Sequence, residues 1–166
     1  RAKLVPADLI MAAEQPDANP FYPYFKDRLL GLLEKGTPRV VGLSVNYLSQ
    51  ALCAFSMLGL LRKECPGVRL VLGGGLVSSW MQRPGWRNPF GGLVDEMVAG
   101  PGESALASMA GVTYKEGADL PDYETFRPLP YFAPGFILPY SASAGCYWRQ
   151  CSFCPEKAEG NPYRPV

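Results

Sequence analysis

Apolar residues along the first hundred positions recur in two rhythms. Phe25, Leu29, Leu32 and Leu33 stand at i, i+4, i+7 and i+8, with Lys26, Asp27, Arg28 and Glu34 between them. That spacing predicts an amphipathic helix, stopped by Gly36 and Pro38. The stretch from about Leu48 to Lys63 is apolar over most of its circumference and is broken by Pro66-Gly67, which predicts a buried helix. Between and after these helices lie short β-rich runs: Arg39–Val45, Val68–Leu72 and Leu93–Ala99. All three are predicted strands, and the character of Arg39–Val45 fits one buried on both faces. Leu76–Gln82 reads as a short helix or loop, and Gly100-Pro101-Gly102-Glu103 opens a helix to about Ala110. Leu9-Ile10-Met11-Ala12-Ala13 is apolar but carries no clear period, so its element stays open.

Strands alternating with helices at this spacing predict βαβ units. The expected fold is α/β and flavodoxin-like (Rossmann-like): a parallel sheet with helices on both faces. It would occupy residues 1–110. Residues 111–140 hold Pro121, Pro128, Pro130, Pro134 and Pro139 with little periodicity, which predicts an extended linker tied down by Tyr123, Phe126, Tyr131, Phe132 and Phe136. Ile137–Ser141 is a candidate short strand leading into the last segment, 141–166. No internal repeat is visible.

Ligands of open α/β sheets sit beyond the carboxyl ends of the strands. Those ends carry Ser44-Val45-Asn46, Gly73-Gly74-Gly75 and Gly100-Pro101-Gly102. Each loop alone is explained by the tight turn that glycine permits. Three such loops on one sheet edge suggest a binding rim.

Composition narrows the field. The chain has 166 residues, 48% hydrophobic and 19% charged, with a net charge of +1. These values fit a globular domain and exclude a field strong enough to imply nucleic acid. The longest nearly apolar run, Ala51–Leu61, is too short to span a membrane, and the N-terminus lacks a signal pattern. Five cysteines form no even disulfide framework, so a reducing cytoplasm is expected. Cys53 reads as core and Cys65 as incidental.

The chemistry concentrates in Gly145-Cys146-Tyr147-Trp148-Arg149-Gln150-Cys151-Ser152-Phe153-Cys154. Three thiols within nine residues, in a chain without histidine, ask for a metal or a cluster. A closed structural zinc site takes four ligands, whereas three thiolates leave one position open for chemistry. A zinc knuckle completed by Asp, Glu or a partner's cysteine is the structural alternative.

This segment resembles the cluster loop of radical S-adenosylmethionine enzymes, with four residues in the first gap where three are usual, two in the second, and an aromatic, Phe153, before the last cysteine. Val40–Ser44, Leu70–Gly75 and Asp95–Glu103 are similar to the second half of a cobalamin-binding domain found ahead of that loop in some members. The resemblance spans residues 38–160. It implies that Cys146, Cys151 and Cys154 ligate three irons of a 4Fe-4S cluster, and that the fourth iron binds S-adenosylmethionine. One electron would then cleave the sulfonium to a 5′-deoxyadenosyl radical. Phe153 would lie near the adenine or simply pack the loop. Ser44, Asn46, Gly73, Gly74, Gly75, Gly100, Gly102 and Glu103 become the candidate cofactor contacts.

Cobalamin, if bound, would lack a histidine on its lower face, because the chain has none. A reductant protein is implied as partner, and the substrate stays open. The first strand of such a domain is either the Leu9–Met11 stretch or lies upstream. A scaffold that merely packs on a barrel is the alternative to a working cobalamin site. The sequence ends soon after the cysteines, at the start of the expected radical S-adenosylmethionine barrel. The chain is therefore expected to be part of a longer enzyme and inactive alone.

Overall fold

A computed structural model describes residues 4–36, 38–115, 123–124, 127–128, 134–138 and 140–165. Helix α1 spans Pro6–Glu14, a short 3₁₀ turn Pro16–Ala18, and α2 Tyr22–Leu33. Strand β1 (Val40–Ser44) leads to α3 (Leu48–Glu64), and β2 (Arg69–Gly73) leads to α4 (Gly75–Met81). Strand β3 (Glu96–Met97) leads to α5 (Glu103–Ala110), and the chain closes with β4 (Ser143–Ala144), α6 (Pro155–Glu159) and β5 (Arg164–Pro165).

Strands β1, β2 and β3 form a parallel sheet in that order, with Val41 beside Leu70, Leu43 beside Leu72, and Leu72 beside Met97. Helices flank it, an arrangement compatible with a flavodoxin-like fold. The two-stranded antiparallel ladder of β4 and β5 is separate.

The Leu9–Ala13 stretch is helix, not the remnant of a first strand. Pro6 stands in the first turn, where its missing N–H costs nothing, and the Asp8 carboxylate accepts the Val5 N–H at 2.8 Å. Leu9 and Ala13 are the buried members of the helix, one turn apart. Strand β3 is also shorter than the Leu93–Ala99 run suggests. Only Glu96 and Met97 pair along β2, while Leu93 and Val94 belong to a turn closed on the Phe90 carbonyl. Among the described residues of the candidate strand Ile137–Ser141, none is in a strand; regular pairing begins at Ser143. The linker expected over 111–140 falls largely outside the described residues, as do Phe126, Tyr131 and Phe132. Within it, Tyr123 meets Phe136 edge-on, with ring centroids 6.3 Å apart.

Helix α3 carries the core. Ala51, Phe55, Leu58 and Leu61 join Leu70 and Leu72 of the sheet, Val77 of α4, Phe90, and Leu9 of α1. Phe55 meets Phe90 at 4.6 Å between centroids. On the side away from the sheet α3 meets α1 at very short range. A Cβ on Gly59 would overlap the Ala13 carbonyl, coming within 2.6 Å of its carbon. Glycine here is a packing requirement, not a turn.

Arg62, in the last turn of α3, pins helix to sheet. Its guanidinium donates to the Leu93 and Val68 carbonyls at 3.1 Å each, and to the Asp95 carboxylate at 2.6 Å. Asp95 also accepts the Leu70 N–H at 2.7 Å. That backbone hydrogen bond is the main cause holding the Asp95 carboxyl below the usual carboxylate range; burial opposes it, and the hydrogen bond and charge of Arg62 add to the lowering.

Two outcomes follow from this packing. Gly59→Ala is expected to lower stability by about 1–3 kcal/mol through overpacking, read as a fall in urea midpoint at unchanged slope. Asp95 ionises at lower pH folded than unfolded, so its contribution is present above about pH 3.9 and is lost as pH falls through the lower folded value. In chemical denaturation, the stability gap between the native chain and Asp95→Asn is therefore expected to narrow as pH drops from about 5 towards 2.

Candidate functional site

The carboxyl ends of β1 and β2, with the loop after β3, meet at one edge of the sheet, as the alternation of strands and helices predicts. Gly74 has φ of 102°, and a Cβ there would approach the Val45 backbone to 2.6 Å, so two successive strand ends touch through a residue that must be glycine. Gly100 has φ of 74° and opens the third loop.

These loops are tied together by side chains. Asn46 Oδ1 accepts the Gly75 N–H at 2.9 Å, and Asn46 Nδ2 donates to Ser44 Oγ at 3.4 Å. Gln50 Oε1 accepts the N–H groups of Asn46 and Tyr47 at 2.9 and 3.1 Å, fixing the entry to α3. Ser78, fully buried in α4, donates its hydroxyl to the Gly74 carbonyl at 3.0 Å and accepts the Gly100 N–H at 2.8 Å. One hydroxyl thus joins the second loop to the third.

A cavity of about 380 Å³ opens at this edge. Ser44, Gly73, Gly74, Gly100 and Gly102 line it, together with Gly42 and Val71 of the sheet and Leu106 of α5. Five sequence-predicted contacts therefore share one space. Asn46, Gly75, Glu103 and Phe153 are not part of its lining. Asn46 and Gly75 serve each other, Glu103 is exposed in the first turn of α5, and Phe153 is 88% exposed. Leu106 and Ser78 were not singled out by sequence reasoning. A serine pair, Ser78-Ser79, one turn after a glycine run was the available signal for Ser78.

Cys146, Cys151 and Cys154 are free and half-buried. In kind they fit a cluster or a soft metal, being thiols without disulfide partners. Yet among the described residues no group of three or more Cys, Asp or Glu side chains is gathered closely enough to hold a metal ion. Gly145, at φ of 71°, lets the chain press on the Pro162 backbone just before Cys146. Cys154 stands at the N-cap of α6, whose first residue is Pro155. Arg149, between the cysteines, occupies the left-handed region at φ of 50°. Tyr147 and Phe153 project into solvent, and Tyr147 meets Tyr163 with centroids 5.9 Å apart.

The cysteine segment lies against the glycine rim. Helix α6 packs on α4, the Glu159 carboxylate fills the space a Cβ on Gly75 would need, and Asn161 Oδ1 lies 3.8 Å from the corresponding point at Gly100. Asn161 Nδ2 donates to Glu159 at 3.0 Å. The other two cysteines stand apart from this region of chemistry. Burial raises the Cys53 thiol pKa, but Cys53, read as core, is half-buried and outside the core cluster, whereas Cys65, read as incidental, ends α3 and packs against the core.

Comparison with protein-family models, with curated proteins and with solved structures finds no match to this chain. No helix among the described residues is long and apolar enough to cross a membrane.

Ser78→Ala removes the acceptor of the Gly100 N–H, while the Gly74 carbonyl keeps the Ser78 backbone N–H at 2.9 Å. It is expected to cost about 1–3 kcal/mol, measured by denaturant unfolding, and to speed amide exchange at Gly100.

Proposed function

We propose that this chain is the N-terminal part of a radical S-adenosylmethionine enzyme, with Cys146, Cys151 and Cys154 holding a 4Fe-4S cluster behind a cobalamin-binding-like α/β domain. The observation that carries the reading is three free, half-buried thiols within nine residues, on a segment packed against the glycine rim of a parallel sheet. Soft thiolates suit iron–sulfur clusters, and three of them leave one iron open to a substrate's amino and carboxylate groups. When bound, the cluster supplies the single electron that cleaves the sulfonium of S-adenosylmethionine.

The chain's own residues have narrower tasks. Gly145 and Pro155 bracket the loop and set where Cys146 and Cys154 leave the folded body. Phe153, highly exposed, offers a flat face for an adenine ring to stack on. The cavity bounded by Ser44, Gly73, Gly74, Gly100 and Gly102 would receive part of a cobalamin, with backbone approached closely at the glycines and Ser44 as the hydroxyl partner. No lower cobalt ligand would come from histidine. The substrate pocket, a protein reductant and the remainder of the barrel would be supplied outside these residues.

Anaerobic reconstitution with iron and sulfide tests the reading. About four irons per chain with matching sulfide are expected, and Cys151→Ala should lose the cluster's visible absorbance. One zinc per chain without sulfide would overturn it in favour of a structural knuckle. Cobalamin is tested separately by titration and its visible spectrum.

A further inference from the structure

A second space lies beside the carboxyl ends of β1 and β2, where α3 and α4 begin. Leu48 opens α3 just after β1, and Leu76 stands in the first turn of α4 just after β2. The Leu76 N–H donates to the Val45 carbonyl at 3.1 Å, which ties the start of α4 to the end of β1. Past Met81, the last residue of α4, the chain turns back through Gly85, at φ of 72°. The Arg83 N–H donates to the Trp80 carbonyl and the Trp86 N–H to the Arg83 carbonyl, at 3.1 Å each. Glycine permits the left-handed backbone of that turn, and the turn returns Trp86 to the space that Trp80 already lines. The Asn88 side chain accepts the Phe90 N–H at 2.9 Å. Phe90 is thereby seated between Phe55 and Trp80, with ring centroids 4.6 and 5.9 Å away.

The space is a cavity of about 810 Å³, within the range of roughly 300–1,000 Å³ common to small-molecule sites. It shares no lining residue with the cavity at the glycine rim. Leu9 and Phe90 are buried in its wall, Trp80 and Trp86 are half-buried, and Leu48 and Arg83 are exposed at its mouth. Its chemistry is one-sided. The side chains around it are apolar except for two indole N–H groups and one guanidinium. Indole and guanidinium nitrogens donate hydrogen bonds and accept none. Among the described residues, none of these three groups has a hydrogen-bond or ion-pair partner, and no acidic side chain lines the cavity.

We propose that this cavity binds an aromatic carboxylate of bicyclic size or larger, with its rings among Trp80, Trp86 and Phe90 and its carboxylate on Arg83. Apolar walls favour a ligand body that leaves water, and three ring side chains favour a flat one. A polar set made only of donors selects an acceptor, and the single formal charge selects an anion. A cation would meet the charge of Arg83 unopposed. A carboxylate takes two parallel N–H bonds from a guanidinium, a fit that neither a hydroxyl nor an amide oxygen offers. Arg83 gives up no protein contact to make it. The site stands apart from the three cysteines and does not depend on how they are read.

2-Naphthoate is the probe, with 2-naphthamide as its uncharged counterpart. Both would be titrated calorimetrically into the native chain, Arg83→Gln and Trp86→Leu. The native chain is expected to bind the acid about tenfold more tightly than the amide. Arg83→Gln should abolish that preference by weakening the acid alone, while Trp86→Leu should weaken both ligands. Arg83→Gln breaks no contact within the protein, so its urea midpoint should match that of the native chain. Indole N–H resonances locate the ligand: those of Trp80 and Trp86 should shift when the acid is added, and that of Trp148, in the cysteine loop, should stay. A Kd for the acid weaker than about 1 mM overturns the site. Equal affinity for acid and amide, or a preference for the acid that survives in Arg83→Gln, overturns the role of Arg83 and the carboxylate with it. A shift confined to Trp148 puts the probe elsewhere and overturns the cavity as its site.

Discussion

Burial of α3 between the sheet and α1 is the constraint on which the rest of the structure depends. A helix apolar over most of its circumference must be covered on more than one side, and a three-stranded sheet covers only one. Helix α1, the 3₁₀ turn and α2 supply the other cover, and they can do so because Gly59 lets α1 approach to the Ala13 backbone. Buried Ser56 adds a polar fix: it accepts from the Asn19 amide at 3.2 Å and returns its own proton to the Leu52 carbonyl. Arg62 then locks the far end of α3 to the start of the strands. With α3 fixed at both ends, the carboxyl edges of β1 and β2 have no freedom to slide, and the loops that follow them are held in register.

That register turns glycine-rich loops into a framework. Glycines permit the turns but do not hold them. The holding is done by Asn46 on Gly75, by Gln50 on the entry to α3, and by Ser78 between Gly74 and Gly100. The cavity beside them exists because Gly42 and Gly73 present no side chain on that part of the sheet, while Leu106 stands across the gap. The cysteine segment is fastened to the same edge from outside, through Glu159 and Asn161.

The long elements were legible because their signals are local. The α3 and β2 runs and the stops at Pro66-Gly67 follow from composition and period, and the glycine loops fall where the sheet ends. Leu9–Ala13 was ambiguous, because five residues are too few for a period to declare itself; Pro6 and the contact with Gly59 decide it. Strand β3 was overestimated because Leu93 and Val94 are apolar for the sake of the core, near Phe90, and not for pairing. Among the candidate contacts, Ser44, Gly73, Gly74, Gly100 and Gly102 do meet in one cavity. Asn46 and Gly75, chosen for a ligand, bond to each other outside that cavity, a pairing across 29 positions that no local pattern encodes.

By itself the sequence determined the alternation of strands and helices, the place of the glycine turns and the spacing of the three thiols. Each of these is a property of neighbouring residues, set by side-chain period, backbone freedom or donor type. Only the tertiary structure decided that α6 lies on α4, that a carboxylate takes the room left by Gly75, and that the three described thiols are not gathered into one metal-holding group. Those outcomes depend on which surfaces meet after the core has closed. The energy of such a meeting belongs to pairs of residues distant along the chain, so no run of sequence carries it.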